Sequence, residues 1–341
     1  MRALVAGWFS YADGHATGGD LLARDVLLDW LREQDMPADV AVAPPFEDGL
    51  PLSDVDPAIY SHAFFVCGPF NHGALERDFL LRFAHCRLVG LNLSLERPPS
   101  QWNPFDLVIE RDSAEGVNAD MVFASRATLP PVVGVCLVEA HDEADTDAAH
   151  RAIGALLDRH EAARVAIDTR LDQNEMGLRT PGEIEALIAR VDILVTTRLH
   201  GLVMGLKRGV PVLAVDAVRG GGKITRQCRH IGWPHVLGLS DLSPERLDQV
   251  FEALRTREAQ ELAMLRGRRA ANDAEAIRDR LVEALLPGGA IERAYAQRQS
   301  GAGMAAFLAG LPPPPQPEPP PRGLRSRLAR YLHGVHGIAG T

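Results

Sequence analysis

Basic residues are in the minority in this chain. Lys and Arg number 36 against 45 Asp and Glu, which gives a formal net charge of −9. Binding to nucleic acid without sequence preference needs a surplus of cations to neutralise phosphates. The composition therefore argues against a nucleic-acid partner and leaves only a local basic patch to be considered.

Cysteines and long apolar runs are also scarce. The four cysteines show no CxxC spacing and form no Cys/His cluster, which predicts reduced thiols in a cytoplasmic protein and no metal site. No apolar run reaches the roughly 18 residues that suggest a membrane-spanning helix. The first ten residues contain an early glycine and are more typical of a first strand than of a signal peptide.

Short apolar runs alternate with segments of helical periodicity along most of the chain. The sequence predicts strands at 2–7, 39–43, 62–67, 87–93, 106–110, 132–138, 164–167, 191–195 and 210–215. It predicts helices at 21–34, 146–162, 181–190, 201–208, 244–257 and 257–286, with a further helix start in a capping-box pattern at 112–115. This alternation predicts parallel sheets covered by helices, in which ligands bind at the carboxyl ends of the strands.

Proline marks two boundaries. The segment 128–131 ends in paired prolines, which predicts Rossmann-like domains at 1–127 and 128–300 with a cleft between two lobes. Eight of the ten residues 312–321 are proline, so 301–341 begins as an extended spacer. Arginines and leucines then alternate in 322–336, which is either a basic amphipathic contact to a membrane surface or partner protein, or a solvated end.

The segment after the strand at 191–195 carries the strongest chemical signal. Thr197 is a candidate N-cap for the helix that follows, and helix N-termini offer free N–H groups to anions. Arg198 adds a planar cation that suits carboxylate or phosphate, and His200 adds an imidazole that can donate or accept a proton. The alternative is that Arg198 pairs with a core carboxylate and His200 only caps the turn.

This segment resembles the signature of the polysaccharide pyruvyl transferase family. The family has Arg-Leu-His after an apolar strand, then Gly, a short apolar helix, a Gly-x-Pro turn, another strand and a lysine, which is Lys223 here. Three further segments resemble family motifs: 18–22 (Gly-Gly-Asp-Leu-Leu), 110–113 (Glu-Arg-Asp-Ser) and 120–124 (Asp-Met-Val-Phe-Ala). The resemblance covers roughly residues 1–240. This chain departs from it at 67–70, where the family has a run of glycines.

The resemblance implies an activity and a fold. The fold is that of two-lobed GT-B transferases, with the acceptor on the N-terminal lobe and the donor on the C-terminal lobe. The activity is transfer of pyruvate from phosphoenolpyruvate, with no cofactor, to two hydroxyls of a sugar or lipid-linked saccharide as a cyclic ketal. Such a protein would serve polysaccharide biosynthesis in the cytoplasm or peripherally at the inner face of the membrane.

The residue roles follow from this chemistry. His200 is the expected general acid, and Arg198, Thr197 and Lys223 are expected to bind the anionic donor. Asp20 is expected to accept a hydroxyl proton, or else to be the N-cap of a helix at Leu21. The loop glycines Gly18 and Gly19 are expected to approach the substrate, whereas Arg111 is more typical of a surface ion pair.

Two other functions stay open on the sequence alone. A nucleotide-sugar glycosyltransferase of GT-B type is the nearest rival, and Glu175 and Glu183 have its Glu-x7-Glu spacing. Because Glu275 and Glu283 repeat that spacing, the pattern has little weight. The other alternative is that the chain is a degenerate transferase that is kept as a binding subunit. Neither a G-x-G-x-x-G nor a G-x-x-x-x-G-K-[ST] motif is present, which excludes the usual dinucleotide and P-loop sites.

Overall fold

The computed structural model describes residues 1–138, 144–174, 176–300, 304 and 309. The chain forms two units, one spanning Met1–Leu129 and the other beginning at Pro130. This division falls inside the segment 128–131 that the sequence nominates as a boundary. The predicted spacer and basic segment within 301–341 lie outside the described residues, apart from Met304 and Ala309.

The first unit is a parallel α/β structure. Its strands are β1 (Ala3–Ala6), β2 (Ala38–Val42), β3 (Leu50–Pro51), β4 (His62–Val66), β5 (Arg87–Ser94) and β6 (Leu107–Asp112), and its helices are α1 (Gly18–Glu33) and α2 (Ala74–Arg82). The strands pair in parallel in the order β3-β2-β1-β4-β5-β6. The chain therefore reverses its direction of travel across the sheet between β1 and β4, where such sheets bind ligands.

The second unit repeats the architecture with another strand order. Its strands are β7 (Val132–Cys136), β8 (Ala163–Ala166), β9 (Ile193–Thr196), β10 (Val212–Asp216) and β11 (Val236–Gly238). Its helices are α3 (Ala144–Arg159), α4 (Pro181–Ile188), α5 (Leu199–Lys207), α6 (Lys223–Ile231), α7 (Pro244–Leu254), α8 (Arg257–Leu285) and α9 (Ala290–Ser300). The parallel order β11-β10-β9-β7-β8 places the reversal between β7 and β9.

Strand β1 shows why these strands appear in the sequence as uninterrupted apolar runs. Successive side chains on a strand point to opposite faces. Leu4 and Ala6 accordingly pack in one hydrophobic cluster, while Ala3 and Val5 pack in another, and all four are fully buried. A parallel sheet covered on both faces needs apolar residues at every position. The prediction of two Rossmann-like α/β units is thus confirmed; the predicted cleft between them stays a prediction.

Some predicted helix boundaries are wrong. Helix α1 begins at Gly18 rather than at Leu21, with Thr17 as its N-cap. The capping-box pattern at 112–115 starts no helix, because Asp112 is the last residue of β6 and the Ser113 hydroxyl accepts hydrogen bonds from the two N–H groups that close a turn. Helices α2 and α6 were not predicted, although α6 buries Ile224, Cys228 and Ile231 at helical spacing.

None of the helices in the described ranges is long and apolar enough to cross a bilayer. Likewise, within those ranges no group of His, Cys, Asp and Glu side chains is arranged to hold a metal ion.

Candidate functional site

The turn after β9 is shaped by a close approach of helix α5 to the strand that precedes it. The Thr196 hydroxyl donates to the Cys136 carbonyl oxygen at 2.7 Å and accepts from the Arg198 N–H at 3.0 Å. A β-carbon on Gly201 would overlap that hydroxyl, so only glycine lets the helix start so near the strand. The Arg-Leu-His-Gly sequence therefore begins a helix at the strand end, between β7 and β9.

Arg198 is held in place by two neighbouring strands. Its Nε donates to the Leu137 carbonyl oxygen at 2.7 Å, just after β7, and its Nη2 lies 3.4 Å from Oδ1 of Asp168, just after β8. The two side chains of this ion pair are only 14% and 16% exposed. The interpretation of Arg198 as the partner of a core carboxylate is thus confirmed. The pairing also fixes the guanidinium at the carboxyl edge of the sheet, where a ligand would meet it.

Thr197 is not the N-cap of the helix that follows β9, contrary to the prediction from the sequence. Arg198, not Thr197, is the N-cap residue of α5. The buried Thr197 hydroxyl instead accepts from the Val138 N–H at 2.8 Å, because the loop after β7 runs close beside it. The N-cap prediction for Thr197 is wrong, and its side chain links the ends of β7 and β9.

His200 lies in the first turn of α5 and is exposed. The first turn of a helix has N–H groups without intrahelical acceptors and carries a partial positive charge. The imidazole therefore lies on the surface beside backbone donors, two residues from the mostly buried Arg198. An exposed imidazole in this place can exchange a proton with a bound molecule without any rearrangement of the core.

Lys223 reaches the same edge through a loop organised by a buried carboxylate. Asp216 ends β10, and its carboxylate accepts from the Gly222 N–H at 2.7 Å and from the Thr225 N–H and hydroxyl at 2.9 and 2.7 Å. Burial opposes the charged form of Asp216, but these hydrogen bonds outweigh it and hold its pKa below the usual range. The result is that Lys223 begins α6 as an exposed cation at a defined position.

In the first unit, the predicted residues gather around one cavity. It has a volume of about 490 Å³ and is lined by Trp8, Asp13, Gly14, His15, Thr17, Gly19, Asp20, Cys67, Gly68, Pro69, Arg111 and Asp120. Trp8 follows β1 and the segment 67–69 follows β4, so the cavity lies where the strand order reverses. Gly18, also a predicted site residue, is exposed and does not line the cavity.

Asp20 is a first-turn residue of α1 rather than its N-cap. Its Oδ2 accepts from the Thr17 N–H at 2.7 Å and from the Thr17 hydroxyl at 2.8 Å, which closes the start of the helix. The carboxyl group is buried and still lines the cavity. The Asp20 side chain therefore both caps the helix and lines the cavity. The prediction that Asp20 is the N-cap of a helix starting at Leu21 is wrong, because the helix starts at Gly18.

Arg111 belongs to a network beneath the cavity. Its Nε donates to Asp112 at 2.8 Å, its Nη2 donates to the Ser94 hydroxyl, and its Nη1 lies 3.4 Å from Asp120. Asn92 closes the network by donating to Asp120 at 3.0 Å. The interpretation of Arg111 as an ion-paired residue is confirmed, but the pair joins segments 110–113 and 120–124 at the cavity wall rather than on an open surface.

The segment 67–70, where the chain departs from the family pattern, has an unusual backbone conformation. Cys67 and Gly68 both adopt left-handed backbone conformations, with φ of 66° and 75°. Such strain in a non-glycine residue concentrates at ligand sites. Burial raises the pKa of the Cys67 thiol to about 11, and the nearby Asp20 carboxylate adds to that rise. The thiol is therefore neutral at physiological pH and acts as a cavity wall rather than as a nucleophile.

Sequence reasoning missed several of these residues. Asn92 lies two residues before the end of β5, Asp168 follows β8, and Asp216 ends β10. Their position at strand ends was the available signal, because ligands of parallel sheets bind there. The predicted glycosyltransferase residue Glu183, in contrast, is bound by the Arg179 and Thr180 N–H groups at the start of α4, while Glu175 lies outside the described residues.

Comparison with known proteins gives structural likeness only. No family model and no curated protein matches the chain. Among solved structures, it is similar to the calicheamicin glycosyltransferase CalG4, with 12% identity over 82% of this chain and 99% of that chain and a TM-score of 0.30. It is similar to the UDP-GlcNAc 2-epimerase of Methanocaldococcus jannaschii (8% identity, 76% and 93% covered, TM-score 0.30). It is also similar to the ADP-heptose heptosyltransferase II of Escherichia coli (13% identity, 76% and 99% covered, TM-score 0.27).

Proposed function

We propose that the chain is a transferase that takes pyruvate from phosphoenolpyruvate and joins it to two hydroxyls of a saccharide. The observation that carries this proposal is the turn after β9. It sets a fixed guanidinium, an exposed imidazole and the free N–H groups of a helix start side by side. A carboxylate and a phosphate on one small donor require such a combination of fixed cations, backbone donors and a proton source.

Each residue of the second unit then has a role. Arg198 binds the donor carboxylate or phosphate, and the N–H groups of the first turn of α5 bind the remaining anionic oxygens. His200 gives a proton to the methylene carbon of phosphoenolpyruvate, which leaves C2 as an oxocarbenium-like centre. Lys223 offsets the charge that develops on the departing phosphate.

The reaction then needs three further steps: addition of a hydroxyl, loss of phosphate and closure of the ketal ring. A first sugar hydroxyl adds its oxygen to C2 and gives up its proton to a base, for which Asp20 is the candidate. The bond between C2 and the bridging phosphate oxygen then breaks, and inorganic phosphate leaves. A second hydroxyl of the same sugar adds to C2 and gives its proton to the imidazole of His200, which restores the general acid and closes the ketal. We assign the saccharide to the cavity of the first unit.

The test is phosphate release by the purified chain. Phosphoenolpyruvate is supplied with a mixture of saccharides bearing neighbouring or 4,6-related hydroxyl pairs, and inorganic phosphate is measured against time. Release that depends on both donor and saccharide supports the proposal. Release without a saccharide indicates simple hydrolysis and contradicts it, as does binding of phosphoenolpyruvate with no release under any saccharide.

A nucleotide-sugar glycosyltransferase is the second candidate, because a helix start flanked by Arg198 and Lys223 also suits a diphosphate. Its test runs in parallel with nucleotide sugars as donors and release of the nucleoside diphosphate as the readout. Turnover with a nucleotide sugar and none with phosphoenolpyruvate would replace the first proposal with this one. Binding of either donor without turnover would favour a binding subunit.

A further inference from the structure

Carboxylates dominate the charged groups at the cavity of the first unit. Asp13, Asp20 and Asp120 line it, against one arginine, Arg111, and one exposed histidine, His15. An anion that enters a partly enclosed space lined in this way meets repulsion that water screens only in part. The balance of charge at the wall therefore bears directly on which molecules the cavity accepts.

Arg111 does not reverse this balance. Two carboxylates share its guanidinium, with Asp112 on Nε and Asp120 beside Nη1, and the Ser94 hydroxyl accepts from Nη2. Its side chain is 30% exposed. These partners engage three of the five guanidinium N–H groups, and the two carboxylates already balance its positive charge. The arginine is thus part of the wall rather than a receptor for anions.

The three carboxylates that line the cavity are hydrogen-bond acceptors. Oδ2 of Asp20 accepts hydrogen bonds from Thr17, while Oδ1 lies toward Gly68 at the cavity wall. Asp13 is exposed at the rim. Carboxylate oxygens accept hydrogen bonds and donate none, so they suit a ligand that is rich in hydroxyl donors.

The shape of the wall is fixed independently of these charges. The Trp8 indole N–H donates to the Pro69 carbonyl oxygen at 2.9 Å, and the ring packs edge-on against Phe65. Gly68 lies so close to the indole that a β-carbon there would overlap it. A rigid aromatic wall beside hydrogen-bond acceptors is suited to a sugar ring, which has apolar faces and hydroxyl edges.

We propose that this cavity binds an uncharged pyranose as the acceptor and discriminates against the corresponding uronic acid. The inference rests on the assignment of the acceptor to the first unit in the proposed function. It adds a selectivity that the transfer reaction itself does not require, because a uronate offers the same hydroxyl pairs on its ring as the neutral sugar does at C2 to C4.

The experiment measures direct binding of matched saccharides by calorimetry, without phosphoenolpyruvate, at pH 7.5 and low salt. The ligands are methyl pyranosides of glucose, galactose and mannose, each paired with its methyl uronoside. The neutral member of a binding pair should bind at least about tenfold more tightly, and the ratio should shrink as salt is raised. Equal or tighter binding of the uronoside overturns the proposal.

A charge variant sharpens the result. Asp13→Asn should reduce the ratio of neutral-sugar affinity to uronoside affinity by about twofold to threefold, because it removes one carboxylate from the rim of the cavity. The substitution breaks no hydrogen bond of the fold described above. The matched control is Asp48→Asn, which removes the same charge from an exposed position away from the cavity and should leave the ratio unchanged.

The failures of the two proposals are distinguishable. If no saccharide of any pair binds, the cavity is not a saccharide site and the selectivity inference falls with it. If a neutral pyranoside binds selectively but no phosphate is released from phosphoenolpyruvate, the inference stands and the proposed reaction is wrong.

Discussion

Both units place polar groups at the carboxyl edge of a parallel sheet where the strand order reverses, but the two sets differ in charge and enclosure. The first unit has a cavity lined by three aspartates and one paired arginine. The second unit has an exposed histidine and lysine around helix starts, beside an arginine that is mostly buried. The same architecture thus presents acceptors in one unit and cations in the other.

The comparison separates what topology contributes from what residue chemistry contributes. The reversal of strand order opens a space at the sheet edge in each unit, between β1 and β4 in the first and between β7 and β9 in the second. The side chains at those strand ends then decide the ligand. We propose a hydroxyl-rich saccharide as the ligand of the first set and a small anionic donor as the ligand of the second. Four experiments test this division of roles.

The largest effect is expected from His200→Ala. Loss of the proton donor should lower the rate of phosphate release by roughly 10²- to 10⁴-fold, the usual contribution of a general acid. The melting temperature should not change, because the imidazole is exposed. His230→Ala is the matched control, since His230 is also an exposed histidine on a helix of the second unit. A His200 variant with full activity would remove the catalytic role.

Arg198→Lys should come next. Lysine keeps the charge but loses the planar fork that contacts the Leu137 carbonyl and Asp168. The dissociation constant for phosphoenolpyruvate, measured by calorimetry, should rise by about ten- to a hundredfold. Arg208→Lys, at an exposed arginine at the end of α5, should leave it unchanged. Unchanged donor affinity in Arg198→Lys would confine this arginine to a structural role.

Gly68→Ala tests the cavity of the first unit. The left-handed backbone and the overlap of a β-carbon with Trp8 should together lower the free energy of unfolding by about 1–3 kcal/mol. Gly288→Ala shares the positive φ, at 71°, but has open space around it, so it should lose only about 1 kcal/mol. Chemical denaturation measures both. Equal losses would show that the close approach to Trp8 is unimportant.

Asp216→Asn should give the smallest effect and a distinctive pH dependence. At pH 7 the variant should lose about 1–2 kcal/mol of the free energy of unfolding. The amide has no charge and only one acceptor oxygen, so its NH2 group would face a backbone N–H that now donates to the carboxylate. The pKa of Asp216 is lowered in the folded state, so its contribution is fully present above the unfolded pKa of about 4 and is lost as the pH falls below it.

Denaturation curves of both proteins between pH 3 and pH 7 measure this dependence. The difference between them should therefore be constant from pH 5 to 7 and shrink toward pH 3. A difference that is the same at every pH would assign the effect to packing rather than to the charge of Asp216.

The part of the site that was predicted most completely is one continuous stretch of sequence. The strand, Arg-Leu-His and helix of 191–208 were predicted together, because hydrophobic periodicity fixes both elements and the turn between them is short. Asp168 and Asp216 were missed. Asp168 meets Arg198 only because β8 pairs with β7, and Asp216 has its role only because α6, which was not predicted, begins where it does.

Local sequence alone determined the alternation of strands and helices, the break at 128–131 and the position of the exposed imidazole after β9. Apolar spacing encodes these features over a few residues, and they need no distant partner. Tertiary structure decided which polar groups meet: Arg198 with the Leu137 carbonyl, 61 residues away, and Asn92 with Asp120, 28 residues away. Such contacts arise from strand order, and strand order is set by the packing of whole elements rather than by any local pattern.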